Sequence, residues 1–151
     1  MKKLLFVLPL LFLFSCNKST VYSGMHSDLT DNRWIEGKGE TFEFTVEEDT
    51  QASIIVKFSH VYEPQYDKIP ITVNIKKPDG QEEVLNAEMV LKDASGKDIS
   101  DCLGDICDLY YTVSENYSFT KGAYSVTITN RVDGIYLPNV LGVGLEIGIK
   151  D

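Results

Sequence analysis

The sequence is poor in the residues from which metal, haem and nucleic-acid sites are built. Its 151 residues include only 2 histidines and 3 cysteines, which leaves little material for a zinc or haem centre. The 14 lysines and arginines face 23 aspartates and glutamates, so the net charge is −9 and a basic nucleic-acid-binding face is not expected. We expect no metal, no cofactor and no nucleic-acid partner.

The sequence also lacks the motifs of common enzymes. No serine or cysteine stands in a recognisable nucleophile motif, and no glycine-rich phosphate loop is present. Carboxylates are numerous, but nothing singles out a pair for glycoside hydrolysis. We therefore expect no catalytic residues and predict a protein that is not an enzyme.

The one long apolar run, residues 4–14, is too short to cross a bilayer as a helix. It follows two lysines and matches the hydrophobic region of a secretory signal peptide. The Leu-Phe-Ser-Cys sequence that ends at Cys16 resembles a lipobox, where a bacterial signal peptidase cuts before a lipidated cysteine. The pattern predicts a lipoprotein signal peptide over residues 1–15 and membrane attachment through a lipid on Cys16.

The remainder of the chain divides into a polar segment and a β-patterned domain. Residues 17–33 are mostly polar, and together with the lipidated Cys16 they predict a tether over residues 16–33. Over residues 34–151, apolar and polar side chains alternate in short runs separated by turn residues. This pattern predicts a single all-β domain, an antiparallel β-sandwich (immunoglobulin-like or jelly-roll-like) of about 7–9 strands.

Cys102 and Cys107 remain as an even pair once Cys16 is lipidated. The four residues between them include Gly104, which allows a tight turn and a small-loop disulfide. Such a bond needs Cα atoms within about 7 Å, which a single extended strand would prevent. Two alternatives therefore stay open: a disulfide, or two reduced and half-buried thiols.

Five aspartates crowd the stretch 93–108, and they can be interpreted as calcium ligands or as turn residues. The spacing is not that of an EF-hand loop, and aspartate is common in turns, which favours the second interpretation. The five are Asp93, Asp98, Asp101, Asp105 and Asp108.

Four tyrosines stand near predicted strand ends or on predicted outer faces, namely Tyr62, Tyr66, Tyr110 and Tyr136. Exposed aromatic rings anchor protein partners or stack on sugars, although tyrosine also suits ordinary sheet edges. We interpret these four as candidate contacts to a protein partner or a glycan. A glycan site predicts a flat row of exposed rings, whereas a protein partner predicts a mixed apolar patch with a polar rim.

Several segments together resemble the GldH gliding-motility lipoproteins of the Bacteroidetes. The resemblance spans most of the mature chain, and its most specific part is the closing segment, residues 137–147. The other matching segments are Cys16, Trp34 before Phe42-Glu43-Phe44, the loop Tyr62-Glu63-Pro64-Gln65-Tyr66, Pro78-Asp79-Gly80, Asp93-Ala94-Ser95-Gly96-Lys97, Gly104-Asp105-Ile106 and Phe119-Thr120-Lys121-Gly122-Ala123-Tyr124.

This resemblance implies an outer-membrane lipoprotein associated with gliding machinery and with type IX secretion, and it implies no catalytic residues. We expect a lipid-anchored envelope protein that acts by contact with other envelope proteins. The alternative is a glycan-binding lipoprotein of a polysaccharide-uptake system. Residues 17–20 lack the acidic run that often directs such lipoproteins to the cell surface, which favours the periplasmic side of the outer membrane.

Overall fold

A computed structural model describes residues 20–149; the expected signal peptide and Cys16 lie outside the described residues. The described strands are β1 (Thr20–His26), β2 (Arg33–Ile35), β3 (Gly39–Val46), β4 (Thr50–Val61), β5 (Lys68–Lys76), β6 (Glu82–Val90), β7 (Asp101–Leu103), β8 (Ile106–Phe119), β9 (Gly122–Asn130), β10 (Tyr136–Pro138) and β11 (Val140–Gly148). A single 3-10 turn spans Thr30–Asn32. No helix within residues 20–149 is long and apolar enough to cross a membrane.

These strands form a two-sheet antiparallel sandwich, which confirms the predicted fold class. One sheet has the order β1-β11-β4-β8-β7, the other β3-β9-β5-β6, and β2 pairs with β10 as a short separate ribbon. The strand total exceeds the predicted range because β2, β7 and β10 have three residues each and are too short to show alternation.

The core forms where the inward faces of the two sheets meet. The alternation predicts these faces correctly: Phe42, Phe44 and Val46 of β3 are buried, whereas the intervening residues are exposed. The Phe44 ring stacks on Tyr124 at 5.6 Å, and Trp34 lies 6.2 Å from Phe58 between ring centroids. Burial of apolar side chains, of which these rings are part, supplies most of the free energy that favours folding.

The prediction of a tether is wrong for residues 20–33, because this segment is part of the sandwich. Strand β1 pairs with β11, and its inward side chains cover the edge of the opposite sheet. The Tyr22 ring stacks on Phe44 at 5.0 Å, and His26 stacks on Phe42 at 4.4 Å while its Nδ1 lies 2.8 Å from Glu40 Oε2. The pattern is hard to recognise because the inward positions of β1 are Tyr22, Gly24 and His26 rather than aliphatic residues.

The register gives the sandwich two distinct ends. We call the first the Thr20 end; Thr20 pairs with Gly148 there, and Thr50 pairs with Phe119. We call the opposite one the Tyr62 end; Val61 pairs there with Ile106, just before Tyr62. Strand β4 has 12 residues and runs between the two ends, which at about 3.3 Å per residue separates them by about 40 Å.

We predict that β1 is required for stability. A chain that starts at residue 27 should have a free energy of unfolding at least about 2 kcal/mol lower than one that starts at residue 20. The truncation removes the hydrogen bonds between β1 and β11 and the partly buried Tyr22 ring, and complete burial of such a side chain is worth about 1.5–3 kcal/mol. Urea unfolding of the two chains measures the difference. Equal unfolding midpoints would mean that residues 20–26 are a tether after all.

Candidate functional site

The Tyr62 end carries most of the exposed apolar side chains of the described residues. Seven of the ten large hydrophobic residues that are exposed lie there: Ile35, Tyr62, Ile99, Leu103, Ile106, Ile135 and Tyr136. The most exposed are Leu103 at 89% and Ile135 at 78%, on two different loops. A concentration of this kind on one end is typical of an interaction surface, whereas scattered single residues are not.

Backbone hydrogen bonds join the loops of the Tyr62 end to one another. The Tyr62 amide donates to the Asp105 carbonyl at 2.9 Å, and the Val61 amide donates to the Asn139 carbonyl at 3.0 Å. The Glu36 amide donates to the Ile135 carbonyl at 2.9 Å. The exposed residues therefore stand on loops that are tied to the sandwich and to each other.

The four candidate tyrosines do not act as one group. Tyr62 and Tyr136 are exposed at the Tyr62 end, and the Arg33 guanidinium lies over the Tyr136 ring at 4.7 Å. Tyr66 is partly buried and packs on the core, where its hydroxyl donates to the Pro138 carbonyl at 2.7 Å. Tyr110 is exposed on the outer face of the five-stranded sheet. Tyr66 is therefore the least accessible of the four, because its ring and hydroxyl are used inside the protein, and its role as a contact stays a prediction.

Tyr110 borders a shallow cavity on that outer face. The cavity of about 230 Å³ is lined by Met25, Lys57, Ser59, Asp108 and Tyr110. The Lys57 ammonium binds Glu146 at 2.7 Å and lies 5.6 Å from the centre of the Tyr110 ring. One ring beside a charged pair does not form the flat row of aromatic residues that a glycan site predicts.

Cys102 and Cys107 form a disulfide, which decides between the two alternatives that the sequence left open. The two residues lie directly opposite each other in the β7–β8 hairpin, with Cα atoms 4.0 Å apart. The turn through Gly104 brings them together, so they are not on a single extended strand. Cys107 is fully buried, whereas Cys102 is exposed at the sheet edge.

A buried polar cluster lies beside this disulfide. His60 is fully buried and pairs across the strands with Cys107. The His60 Nδ1 lies 2.9 Å from the Val61 carbonyl oxygen, and its Nε2 lies 3.0 Å from Ser100 Oγ and 3.9 Å from Asp98 Oδ2. Sequence reasoning did not single out this cluster, although strand parity points to it: His60 follows buried Phe58 by two positions, and Cys107 precedes buried Leu109 by two.

The five aspartates of the stretch 93–108 have separate local roles. Asp93 closes a turn, where hydrogen bonds from the Ser95 hydroxyl and from the Lys97 and Ser95 amides lower the pKa of its carboxyl group. Asp108 accepts a hydrogen bond from the Ser59 hydroxyl, and Asp98 Oδ1 accepts one from the Ser100 amide. Asp101 pairs with Asp108 across the hairpin, and Asp105 lies in its turn.

A second cavity lies away from these features. It measures about 580 Å³ on the outer face of the four-stranded sheet, beside the turn at Pro78 and Gly80. Its polar side chains include Glu43, Lys76 and Ser125, and no histidine or cysteine lines it.

The fold and the surface together define a β-sandwich protein whose exposed apolar residues are concentrated at one end. The sequence model of the GldH lipoprotein family matches residues 21–147. The chain belongs to this family, which makes it a lipoprotein of the gliding-motility type with a lipid-anchored place in the cell envelope. The family resemblance noted in the sequence is thereby confirmed.

Other comparisons add little. No curated protein matches the chain. Two solved structures resemble it in part: a serine protease of Aeromonas sobria at 9% identity and a TM-score of 0.35, and that protease in complex with the chaperone ORF2 at 10% identity and 0.37. The matches cover 85% and 87% of this chain but only 26% and 27% of those chains, and they bear on neither its fold nor its function.

We predict that Tyr66 stabilises the fold and that Tyr62 does not. Tyr66→Phe removes the hydrogen bond to Pro138 and should lower the free energy of unfolding by about 1 kcal/mol, whereas Tyr62→Phe should leave it unchanged. Urea unfolding at neutral pH measures both. An equal effect of the two substitutions would contradict the assigned roles.

The same residue predicts a dependence on alkaline pH. Burial raises the pKa of Tyr66 to about 12 in the folded state, above the ordinary value of 10.0. The neutral phenol is favoured by folding, so this contribution is present below pH 10 and is lost as the pH rises toward 12. Stability measured across this range should fall less in Tyr66→Phe than in the wild type; parallel curves would contradict the prediction.

Proposed function

We propose that this lipoprotein is a non-enzymatic interaction protein that presents its Tyr62 end to a protein partner in the gliding or type IX secretion machinery. The observation that carries the proposal is the concentration of exposed apolar side chains at that end. Aromatic and aliphatic residues are mixed there, with charged Arg33, Glu36 and Asp105 nearby. This composition is typical of a protein interface with a polar rim.

The position of the expected lipid gives the surface its direction. The described domain begins at Thr20, four residues after Cys16, and four extended residues reach at most about 14 Å. In our proposal the lipid on Cys16 therefore holds the Thr20 end close to the membrane. The Tyr62 end then stands about 40 Å farther out, on the far side of the sandwich.

Short attachment also limits how the domain moves. A tether of 17 flexible residues would let the domain sample many positions, whereas a spacer of three residues, 17–19, has a much shorter maximum reach. A smaller range of positions reduces the entropy lost when the Tyr62 end meets a partner. The incorporation of β1 into the sandwich thus supports a presenting role.

A glycan-binding role remains the alternative, and the distribution of the tyrosines favours it less. Tyr66 is partly buried, Tyr110 lies on a sheet face, and of the four only Tyr62 and Tyr136 are exposed at the Tyr62 end. Two rings among aliphatic neighbours suit a protein surface better than the face of a sugar. We expect the protein to act on the periplasmic side of the outer membrane.

The proposal is tested by capture of partners from the native envelope. A tagged, lipidated full chain is crosslinked and purified, and its partners are identified by mass spectrometry. Wild-type protein should recover gliding or type IX secretion components, and Leu103→Asp or Ile135→Asp should reduce that recovery at least about ten-fold, because each places a charge in the centre of the contact.

Val84→Asp is the matched control. Val84 is also apolar and 53% exposed, but it lies on β6 away from the Tyr62 end. It should recover the same partners as the wild type. Equal recovery from Leu103→Asp and Val84→Asp would overturn the proposal, and binding of the wild type to a glycan array in place of protein partners would favour the alternative.

A further inference from the structure

A row of potential metal ligands crosses three neighbouring strands at the Tyr62 end. His60 of β4 pairs with Cys107 of β8, and Cys107 pairs with Cys102 of β7. Residues directly opposite each other in an antiparallel sheet project to the same face, with Cβ atoms about 4.5–5.5 Å apart. The His60 imidazole and the Cys107 sulfur are therefore held side by side on the inner face of the sheet, and the Cys102 sulfur is bonded to Cys107 at the exposed edge.

Asp98 completes the set from the loop that covers this row. One ligand atom each from His60, Asp98 and Cys107 lies within 4.8 Å of the other two. Zinc binds such nitrogen, oxygen and sulfur atoms at about 2.0–2.3 Å in a tetrahedral arrangement, so its ligand atoms lie about 3.3–3.8 Å apart. Approaches of at most about 1.5 Å between these atoms would bring them to that spacing.

The hydrogen bonds of His60 leave the correct nitrogen available. The Val61 carbonyl can only accept, so Nδ1 carries the proton and donates to it at 2.9 Å. Nε2 is then the acceptor of the hydrogen bond from the Ser100 hydroxyl at 3.0 Å, with Asp98 Oδ2 3.9 Å away, and a metal ion bound to Nε2 would displace that hydroxyl. A histidine that donates through one nitrogen to a backbone carbonyl is oriented as metal-binding histidines are.

A second observation points to a missing partner at the same place. The Asp98 side chain is only 11% exposed, and its Oδ2 atom is buried without a hydrogen-bond partner among the described residues. Burial of an unpartnered carboxylate oxygen is costly, and an ion is one of the usual reasons that such an atom persists. The oxygen is the one that lies 3.9 Å from His60 Nε2.

We propose that His60, Asp98, Cys102 and Cys107 form a Zn²⁺ site when the two cysteines are reduced. In the disulfide form the sulfur atoms are bonded to each other, so metal binding and the disulfide are alternative states of the same hairpin. A dithiol reductant interconverts them: its two thiols become a disulfide, and the Cys102–Cys107 bond takes up two electrons and two protons. Zinc then replaces the two thiol protons, which are released to solvent.

The proposed Zn²⁺ site differs from the expectation, drawn from composition, that the chain binds no metal. With 2 histidines and 3 cysteines the chain has few ligands, but strand register gathers one histidine and two of the cysteines at one point. The site lies in the hairpin that carries Leu103 and Ile106. A change in the redox state of the cysteines would therefore change the packing beneath these two exposed residues of the Tyr62 end. The metal site does not depend on the proposed partner.

The test uses the full chain in detergent, in the disulfide form and after anaerobic reduction and removal of the dithiol. Zn²⁺ affinity is measured by competition with a chromophoric chelator, and Co²⁺ is used to detect a thiolate charge-transfer band. The reduced chain should bind Zn²⁺ at least about a hundred-fold more tightly than the disulfide form and show the cobalt band. Equal affinities in the two forms would overturn the proposal.

Two substitutions separate this site from nonspecific thiol binding. Asp98→Asn should weaken the Zn²⁺ affinity of the reduced chain at least about ten-fold, because it removes a charged ligand with little change in shape. Asp105→Asn, in the turn of the same hairpin, should change it less than about two-fold. Unchanged affinity in Asp98→Asn contradicts the assignment.

A reduced chain that unfolds without metal is still informative. Circular dichroism then follows whether Zn²⁺ restores the β spectrum, which the proposal requires because binding to the folded state favours folding. Failure of Zn²⁺ to restore the fold would count against the site. The disulfide form of Asp98→Asn, measured in parallel, shows whether the substitution itself preserves the fold.

Discussion

The pairing of β4 with β8 on one side and β11 on the other is the constraint on which the rest of this structure depends. Strand β4 lies at the centre of the five-stranded sheet, and its alternate residues from Ile54 to His60 are fully buried. Because both of its edges are hydrogen-bonded, it cannot slip by one residue without moving this whole set to the solvent face. Its length sets the distance between the two ends of the sandwich, and its last inward residue is His60.

The two ends have different surfaces because they are built from different kinds of connection. At the Thr20 end the hairpins are short and polar, as at Glu47, Glu48 and Asp49 between β3 and β4. At the Tyr62 end the connections are longer and carry exposed apolar side chains.

Strand patterning could be predicted from the sequence to the extent that aliphatic and aromatic residues marked the inward face. Phe42, Phe44 and Val46 identify β3 without ambiguity, and the all-β sandwich follows from several such runs. Strand β1 was not predictable in this way because glycine and histidine occupy its inward positions, and their role depends on the aromatic rings of β3 that they meet across the sandwich.

The positions of the tyrosines and of the buried His60–Cys107 pair could also be predicted only in part from the sequence. An alternation pattern places Tyr110 on an outer face, but only the fold shows that the Tyr66 hydroxyl reaches Pro138, 72 positions away in the chain. Likewise, parity predicts that His60 and Cys107 face inward, but their pairing depends on the register between strands that are far apart in sequence. Long-range register is set by the complete core, and local residue patterns do not contain it.

The proposed function requires that the Thr20 end of the sandwich lies near the membrane and the Tyr62 end points away from it. Site-specific photocrosslinking in living cells tests this orientation most directly. A photoreactive residue is placed at Leu103 on the Tyr62 end, at Glu48 on the Thr20 end, or at Val84 as a control. We expect protein crosslinks from position 103, lipid crosslinks from position 48 and neither from position 84. Lipid crosslinks from position 103, with protein crosslinks from position 48, would contradict it.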